Sequence, residues 1–314
     1  MSKDRRLRSD ISLNNPDNNP ALGREAGKLM QIEAFFDEGR TWTVTYLVYD
    51  PETGDAVIID PVLDLDVAPW RTSTESIDRV TDFIETNHLK LHWILETHVH
   101  ADHITGAGEL KRRLSAPMAI GAHISSVQAF FKHAFNLGDG FRTDGSQFDR
   151  LLNEGDIIEA GSLRINVMHT PGHTPACCTY HIGDALFTGD VLFMPDIGVA
   201  RCDFPGGSPE ALYQSVKNRL YAFPHSTRVM VGHDYPGKRE FQYQTTIGQS
   251  KAFNCDLPNS ISEEEFVARI RQRDSLLPAP RLLFPSLQVN INAGALPEPE
   301  NNDVAYLKVP LNYL

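Results

Sequence analysis

The sequence lacks any run approaching the roughly 18 apolar residues that a membrane-spanning helix requires, so no membrane partner is expected. It also lacks basic excess: 29 Lys and Arg against 41 Asp and Glu leave a formal net charge of −12. Nucleic-acid binders draw affinity from a basic stripe that releases counterions, so no nucleic-acid partner is expected, and an anionic substrate needs a local basic pocket. Cysteines are few. The four, Cys177, Cys178, Cys202 and Cys255, show neither CxxC nor zinc-finger spacing. A chain this long needs no disulfide staples, which suits a reducing, cytoplasmic setting. Residues 1–29 have no hydrophobic period and no secretory apolar stretch, and they carry Asn-Asn-Pro-Asp-Asn-Asn-Pro at 14–20. They read as a flexible N-terminal extension.

What remains is globular: 41% hydrophobic and 22% charged over 314 residues, enough for a sizeable core. Residues 30–244 read as one catalytic domain, and 245–314 as a helical segment and tail packed on it. Strands are expected at 31–36, 41–49 and 56–59, with Pro51-Glu-Thr-Gly54 as a hairpin turn. A helix capped by Thr74 or Ser76 follows, with Ile77, Val80, Phe83 and Ile84 at helical spacing, then a buried strand at 92–96. Next come a helix at 106–114, a strand at 118–120, a helix at 125–134 and a hairpin at 157–167 turning at Gly161-Ser162. The order nearly repeats: strands at 177–181 and 185–187, a helix at 209–223 and a strand at 228–231. Two helices are expected within 245–275, one with Phe266, Ile270 and Leu276 on its apolar face. The end from Pro285 reads as an Asn- and Pro-rich wrap. Two such blocks imply an α/β sandwich of two mixed sheets with helices outside and chemistry at one edge.

That edge collects Thr97-His98-Val99-His100-Ala101-Asp102-His103, Thr170-Pro171-Gly172-His173-Thr174, Gly189-Asp190 and Gly232-His233-Asp234. Imidazole nitrogen and carboxylate oxygen are the ligands zinc and non-haem iron accept, and they recur here where strands end. Read from the residues, His98, His100 and His173 hold one metal. Asp102, His103 and His233 hold a second about 3.5–4 Å away with Asp190 bridging, as in two-metal hydrolases. Gly172 and Gly189 are expected to permit the turns that deliver His173 and Asp190.

These motifs resemble the metallo-β-lactamase superfamily over about Met30 to Tyr235. Within it, Gly198-Val199-Ala200-Arg201-Cys202-Asp203-Phe204 and His233-Asp234-Tyr235 resemble the persulfide dioxygenase branch related to the ethylmalonic encephalopathy protein. The resemblance implies an αββα fold and a single Fe(II) per chain held by His98, His173 and Asp190. The open face would admit a small-molecule thiol persulfide, such as glutathione persulfide, beside dioxygen, with sulfite as product. His100, Asp102, His103 and His233 then orient ligands and water. The same seven residues serve glyoxalase II and other dizinc thioester hydrolases, where Asp102 is catalytic and two Zn(II) are bound. Dimers are common in the family it resembles, so a homodimer is an open expectation, with no interface readable from periodicity.

Arg201 is read as an anion clamp rather than a salt-bridge partner of Asp203 or Asp196, and Tyr235 as a hydrogen-bond donor in the pocket or a packed aromatic. Cys202 is expected to be buried rather than reactive, and Cys177 and Cys178 to face opposite sides of a strand. His169 is read as a strand-end residue with a backbone partner, not a ligand. The cysteine that the branch usually carries in a late loop is absent from the matching stretch, Val289-Asn290-Ile291-Asn292-Ala293-Gly294.

Overall fold

Alternation along the strands decides the layers. In a computed structural model describing residues 30–237 and 239–313, Val44, Tyr46, Val48, Val57 and Ile59 face one core while Leu47, Ala56 and Ile58 face another. Successive strand side chains point to opposite faces, so a strand buried on both sides reads as a continuous apolar run. The expected extension at 1–29 lies outside the described residues.

The strands are β1 (Gln31–Phe36), β2 (Val44–Tyr49), β3 (Asp55–Ile59), β4 (Val62–Asp66), β5 (Arg71–Ser73), β6 (Lys90–Leu95), β7 (Ile104–Thr105), β8 (Met118–Gly121) and β9 (Arg150–Leu152). They continue as β10 (Ile157–Ala160), β11 (Leu163–His169), β12 (Cys178–Ile182), β13 (Ala185–Gly189), β14 (Arg228–Val231) and β15 (Gln244–Thr246). The helices are α1 (Glu75–Thr86), α2 (Ala107–Leu114), α3 (Ile124–Ala134), α4 (Pro209–Gln214), α5 (Ile247–Phe253), α6 (Glu263–Asp274) and α7 (Leu283–Asn290). Two six-stranded mixed sheets form, β1-β2-β3-β6-β8-β9 and β10-β11-β12-β13-β14-β15. The inner faces share a core in which Val44, Val57 and Leu95 from the first sheet join Ile165, Tyr180 and Phe187 from the second. Helices α1, α2, α3 and α7 cover the outer face of the first sheet, and α4, α5 and α6 that of the second. This is the four-layer αββα sandwich.

Several expectations need correction. A third sheet, β5-β4-β7, was not foreseen, since its strands are short and half polar. Thr74 occupies the N-cap of α1 without a side-chain cap, its hydroxyl going instead to Asp78 at 3.1 Å. Ser76 lies inside the helix, where its backbone N–H and hydroxyl both donate to Asp64 at 2.8 Å. The long helix expected at 209–223 starts on the Ser208 cap with Pro209 at its first position, but passes into a π-helical turn (215–219) and a 3₁₀ turn (220–222). Leu276 lies beyond the end of α6 and is exposed. Of the segment from Pro285, residues 285–290 lie in α7, where every residue except Phe284 is buried, while 291–313 hold no helix or strand and are tied back at Lys308, whose N–H donates to Gln288 Oε1 at 2.8 Å. A helix buried all round shows no amphipathic stripe, which is why periodicity missed it. No helix among the described residues is long and apolar enough to cross a membrane.

Candidate metal centre

Strand β6 ends at Leu95 and releases the loop that carries four of the donors. Asp60, at the end of the parallel neighbour β3, anchors this loop by accepting Thr97 N–H and Thr97 Oγ1, each at 2.7 Å. On the far side, Asn290 in α7 donates from Nδ2 to the carbonyls of His100 (2.9 Å) and His103 (2.8 Å), and its Oδ1 accepts Thr105 N–H at 2.9 Å. One side chain therefore satisfies three buried backbone groups of the donor loop.

His173 arrives on a turn pressed against α4. Gly172 has φ +150°, and a Cβ there would overlap Leu212, while Ser208 N–H donates to Gly172 O at 2.8 Å. Asp190 follows Gly189, which has φ +48° and whose missing Cβ makes room for Thr97. Only glycine meets both demands cheaply. His233 follows β14, and Thr43, just before β2, pairs with it in an isolated antiparallel bridge that ties the two sheets together at this edge.

The side chains converge. His98 Nε2 lies 3.9 Å and His173 Nε2 3.7 Å from Asp190 Oδ2, while His233 Nε2 lies 3.3 Å from Asp190 Oδ1 and 3.4 Å from Asp102 Oδ2. Donor atoms of His98, His173 and Asp190 fall within 4.8 Å of one another, as do those of His100, Asp102 and His103. This partition differs from the residue-based one, which grouped His100 with His98 and His173. The reason is local: His100 Nε2 is drawn to Asp60 Oδ1 at 3.0 Å and Glu96 Oε2 at 3.3 Å. Glu96 is itself held by the Thr105 hydroxyl.

Three of the imidazoles are oriented through their other nitrogen, as metal-bound histidines are. His173 Nδ1 donates to Arg201 O at 2.7 Å, His98 Nδ1 meets Thr97 Oγ1 at 3.0 Å, and His103 Nδ1 meets Thr43 Oγ1 and Asp102 Oδ2 at 3.2 Å. Burial, then the adjacent His100, hold His98 well below the usual histidine range, and the same two causes lower His103, so both stay neutral. His98 Nε2, His100 Nδ1 and Nε2, His103 Nε2, His233 Nδ1, Glu96 Oε2 and Asp190 Oδ1 are all buried without a hydrogen-bond partner. An unmet buried polar atom costs about 1–3 kcal/mol. Several of them in one place are a large fraction of the roughly 5–15 kcal/mol that stabilises a domain. Nitrogen and oxygen donors aimed at a common space fit a zinc- or iron-type cation.

A cavity of about 580 Å³ opens onto this edge, lined by Asp102, His173, Asp190 and His233 at its base and by Phe193, Ile197 and Leu282 along its walls. Tyr235 lines it too, 45% exposed and stacked on His233 with ring centroids 5.7 Å apart. Its hydroxyl has no hydrogen-bond partner among the described residues. Arg201 must be reassigned. Its Nε and Nη2 grip Asp203 at 2.5 Å each and its Nη1 donates to Pro278 O at 2.7 Å, so the fork expected to clamp an anion is filled. It braces the loop whose carbonyl orients His173.

His169 has the backbone partner expected of it, Pro175 O at 2.9 Å, and stacks on His123. Cys177 and Cys178 face different cores, and burial pushes the Cys177 thiol up to about 12. Cys202 is buried, and that burial, reinforced by Asp274, raises its thiol well above the ordinary value. Only Cys255 is exposed. A thiol-exchange reagent should therefore titrate about one thiol per native chain and all four in denaturant; rapid labelling of Cys202 would contradict the burial.

Sequence reasoning missed Asp60, Glu96, Asn290 and the pair Asp234–Arg239. Asp234 is fully buried and receives both Nη atoms of Arg239, which fixes the loop after His233. An acid directly after the apolar run of β3, and Glu96-Thr97 directly before His98, were the available signals.

Comparison with known proteins follows the same lines. Residues 41–233 match the family model described as the metallo-beta-lactamase superfamily. A probable metallo-hydrolase of Burkholderia pseudomallei is 46% identical over 294 residues, covering 90% of this chain and 99% of that one. The mitochondrial persulfide dioxygenase ETHE1 of Mus musculus is 32% identical over 265 residues, covering 83% and 88%. The crystal structure of ETHE1 from Myxococcus xanthus superposes with a TM-score of 0.67 at 31% identity, covering 84% of this chain and all of that one.

Proposed function

The chain belongs to the metallo-beta-lactamase superfamily and is an enzyme of that superfamily, and from this premise we propose that it is an Fe(II)-dependent persulfide dioxygenase. Its substrate is glutathione persulfide or a related low-molecular-weight persulfide, and the reaction balances as RSSH + O2 + H2O giving RSH and sulfite with two protons. One observation carries the reading: two imidazoles and one carboxylate, His98, His173 and Asp190, bring their donor atoms within 4.8 Å beside an open cavity. Two histidines and a carboxylate on one face, with free positions opposite, are the donor set of non-haem iron oxygenases. Similarity to persulfide dioxygenases at about a third identity supports it.

Bound iron would supply redox chemistry and the free positions at which sulfur and dioxygen meet. The chain does the rest. Phe193, Ile197, Val199 and Leu277 give the cavity an apolar wall that keeps water from the reactive sulfur. His233 Nε2 lies beside the carboxylate's second oxygen, 3.3 Å from Asp190 Oδ1, and Arg201 O fixes the plane of His173.

A second reading, a dizinc thioester hydrolase of the glyoxalase II kind, is favoured by one observation: His100, Asp102 and His103 form a further donor group with three nitrogens that make no hydrogen bond. Anaerobic purification, metal quantification and parallel assays separate the two. About one iron per chain with oxygen uptake on glutathione persulfide supports the dioxygenase. About two zinc ions with thioester hydrolysis and no oxygen uptake overturns it.

A further inference from the structure

Four guanidinium groups line the cavity, on a chain whose net charge of −12 would otherwise repel an anionic substrate. Three are already neutralised. Arg40 pairs with Asp64 at 2.5 Å and Glu75 at 2.9 Å, Arg201 with Asp203 at 2.5 Å, and Arg273 with Asp256 at 2.7 Å and Asp274 at 2.9 Å. Arg281 is exposed and has no ion pair or hydrogen bond from its side chain among the described residues.

Its backbone, by contrast, is held. Arg201 Nη1 ties down Pro278 O at 2.7 Å, Leu283 N–H closes a turn onto Pro280 O at 3.1 Å, and the flanking Leu282 is 8% exposed. The segment from Pro278 to Leu282 is thus a fixed platform with one free cation on it. Helix α7 starts at Leu283 with no side-chain cap, so the positive end of its dipole adds to the same corner.

We propose that Arg281 is the carboxylate anchor of this pocket, gripping a carboxylate of the thiol carrier while the sulfur end reaches toward Asp190. The class of ligand, a carboxylate-bearing thiol derivative, rests on the persulfide reading; the anchoring contact does not depend on the oxidation step. Arginine suits the task because its planar fork matches both carboxylate oxygens, which a lysine cannot do. The uncommitted guanidinium, rather than Arg201, then selects for acidic carriers over neutral ones.

The test is calorimetric binding of S-methylglutathione, which has no reactive sulfur, and of its diethyl ester, which has no carboxylate, to the metal-loaded protein. Arg281→Ala is expected to weaken S-methylglutathione by roughly tenfold, with Arg281→Lys intermediate, and to leave the weaker binding of the diester unchanged. Equal affinity of wild type and Arg281→Ala for S-methylglutathione, or the absence of measurable binding to wild type, overturns the anchor. Oxygen uptake on glutathione persulfide is scored separately. Uptake with no Arg281 dependence of binding removes the anchor alone, whereas Arg281-dependent binding without uptake removes the dioxygenase alone.

Discussion

Asp190→Ala is expected to lose its metal and to cut oxygen uptake by more than about 100-fold, the upper end of what losing an outer hydrogen-bond partner costs. Asp190 alone offers an oxygen to both halves of the centre: Oδ2 faces His98 and His173, and Oδ1 faces His233. His233→Ala is the informative companion. If His233 only steadies the carboxylate, that variant keeps its iron and loses about 10- to 100-fold in activity. If His233 is itself a ligand, it falls as far as Asp190→Ala. Iron per chain and oxygen uptake, measured on both variants, decide between them. Retention of a full complement of iron and most of the activity by Asp190→Ala would falsify the assignment of the centre.

The second large effect is structural and lies far from the donors in sequence. Asn290→Ala orphans the carbonyls of His100 and His103 and the N–H of Thr105, at about 1 kcal/mol or more for each buried group. A total near 3 kcal/mol lowers Tm by roughly 5–10 °C in a domain of this size. Metal affinity should fall as well, since the slackened loop carries His98 through His103. Asn290→Asp is the control for shape. It keeps an acceptor for Thr105 but turns a carboxylate oxygen onto two carbonyl oxygens, so it should be no more stable than Asn290→Ala. Calorimetry and metal titration read both effects, and a Tm within 2 °C of wild type would remove the clasp role.

The convergence of the candidate donors was legible because they cluster in short segments at strand ends, where alternation and a turn suffice to aim them. Asn290 was not, because it binds backbone carbonyls, which any residue type supplies, from a helix with no polar face. Arg201 was misjudged although Asp203 stood two residues away; only the position of the guanidinium relative to the cavity shows which partner wins. Most of the second mixed sheet, β15 apart, and the outer-layer helices other than α7 were readable from apolar spacing. The β5-β4-β7 sheet was not, since two- and five-residue strands hold too few positions for a period to show. Leu276 looked like a continuation of the α6 face, but the helix ends at Asp274, which instead turns inward to accept Cys202 N–H at 2.7 Å.

The clasp on the donor loop also orders events during synthesis. All seven candidate donors have been joined to the chain once His233 is added, yet the amide that steadies their loop is encoded 57 positions later in the message, at Asn290. A chain cut between His233 and Asn290 keeps every candidate donor but loses the clasp on their loop, and is expected to bind a metal ion more weakly than the full chain.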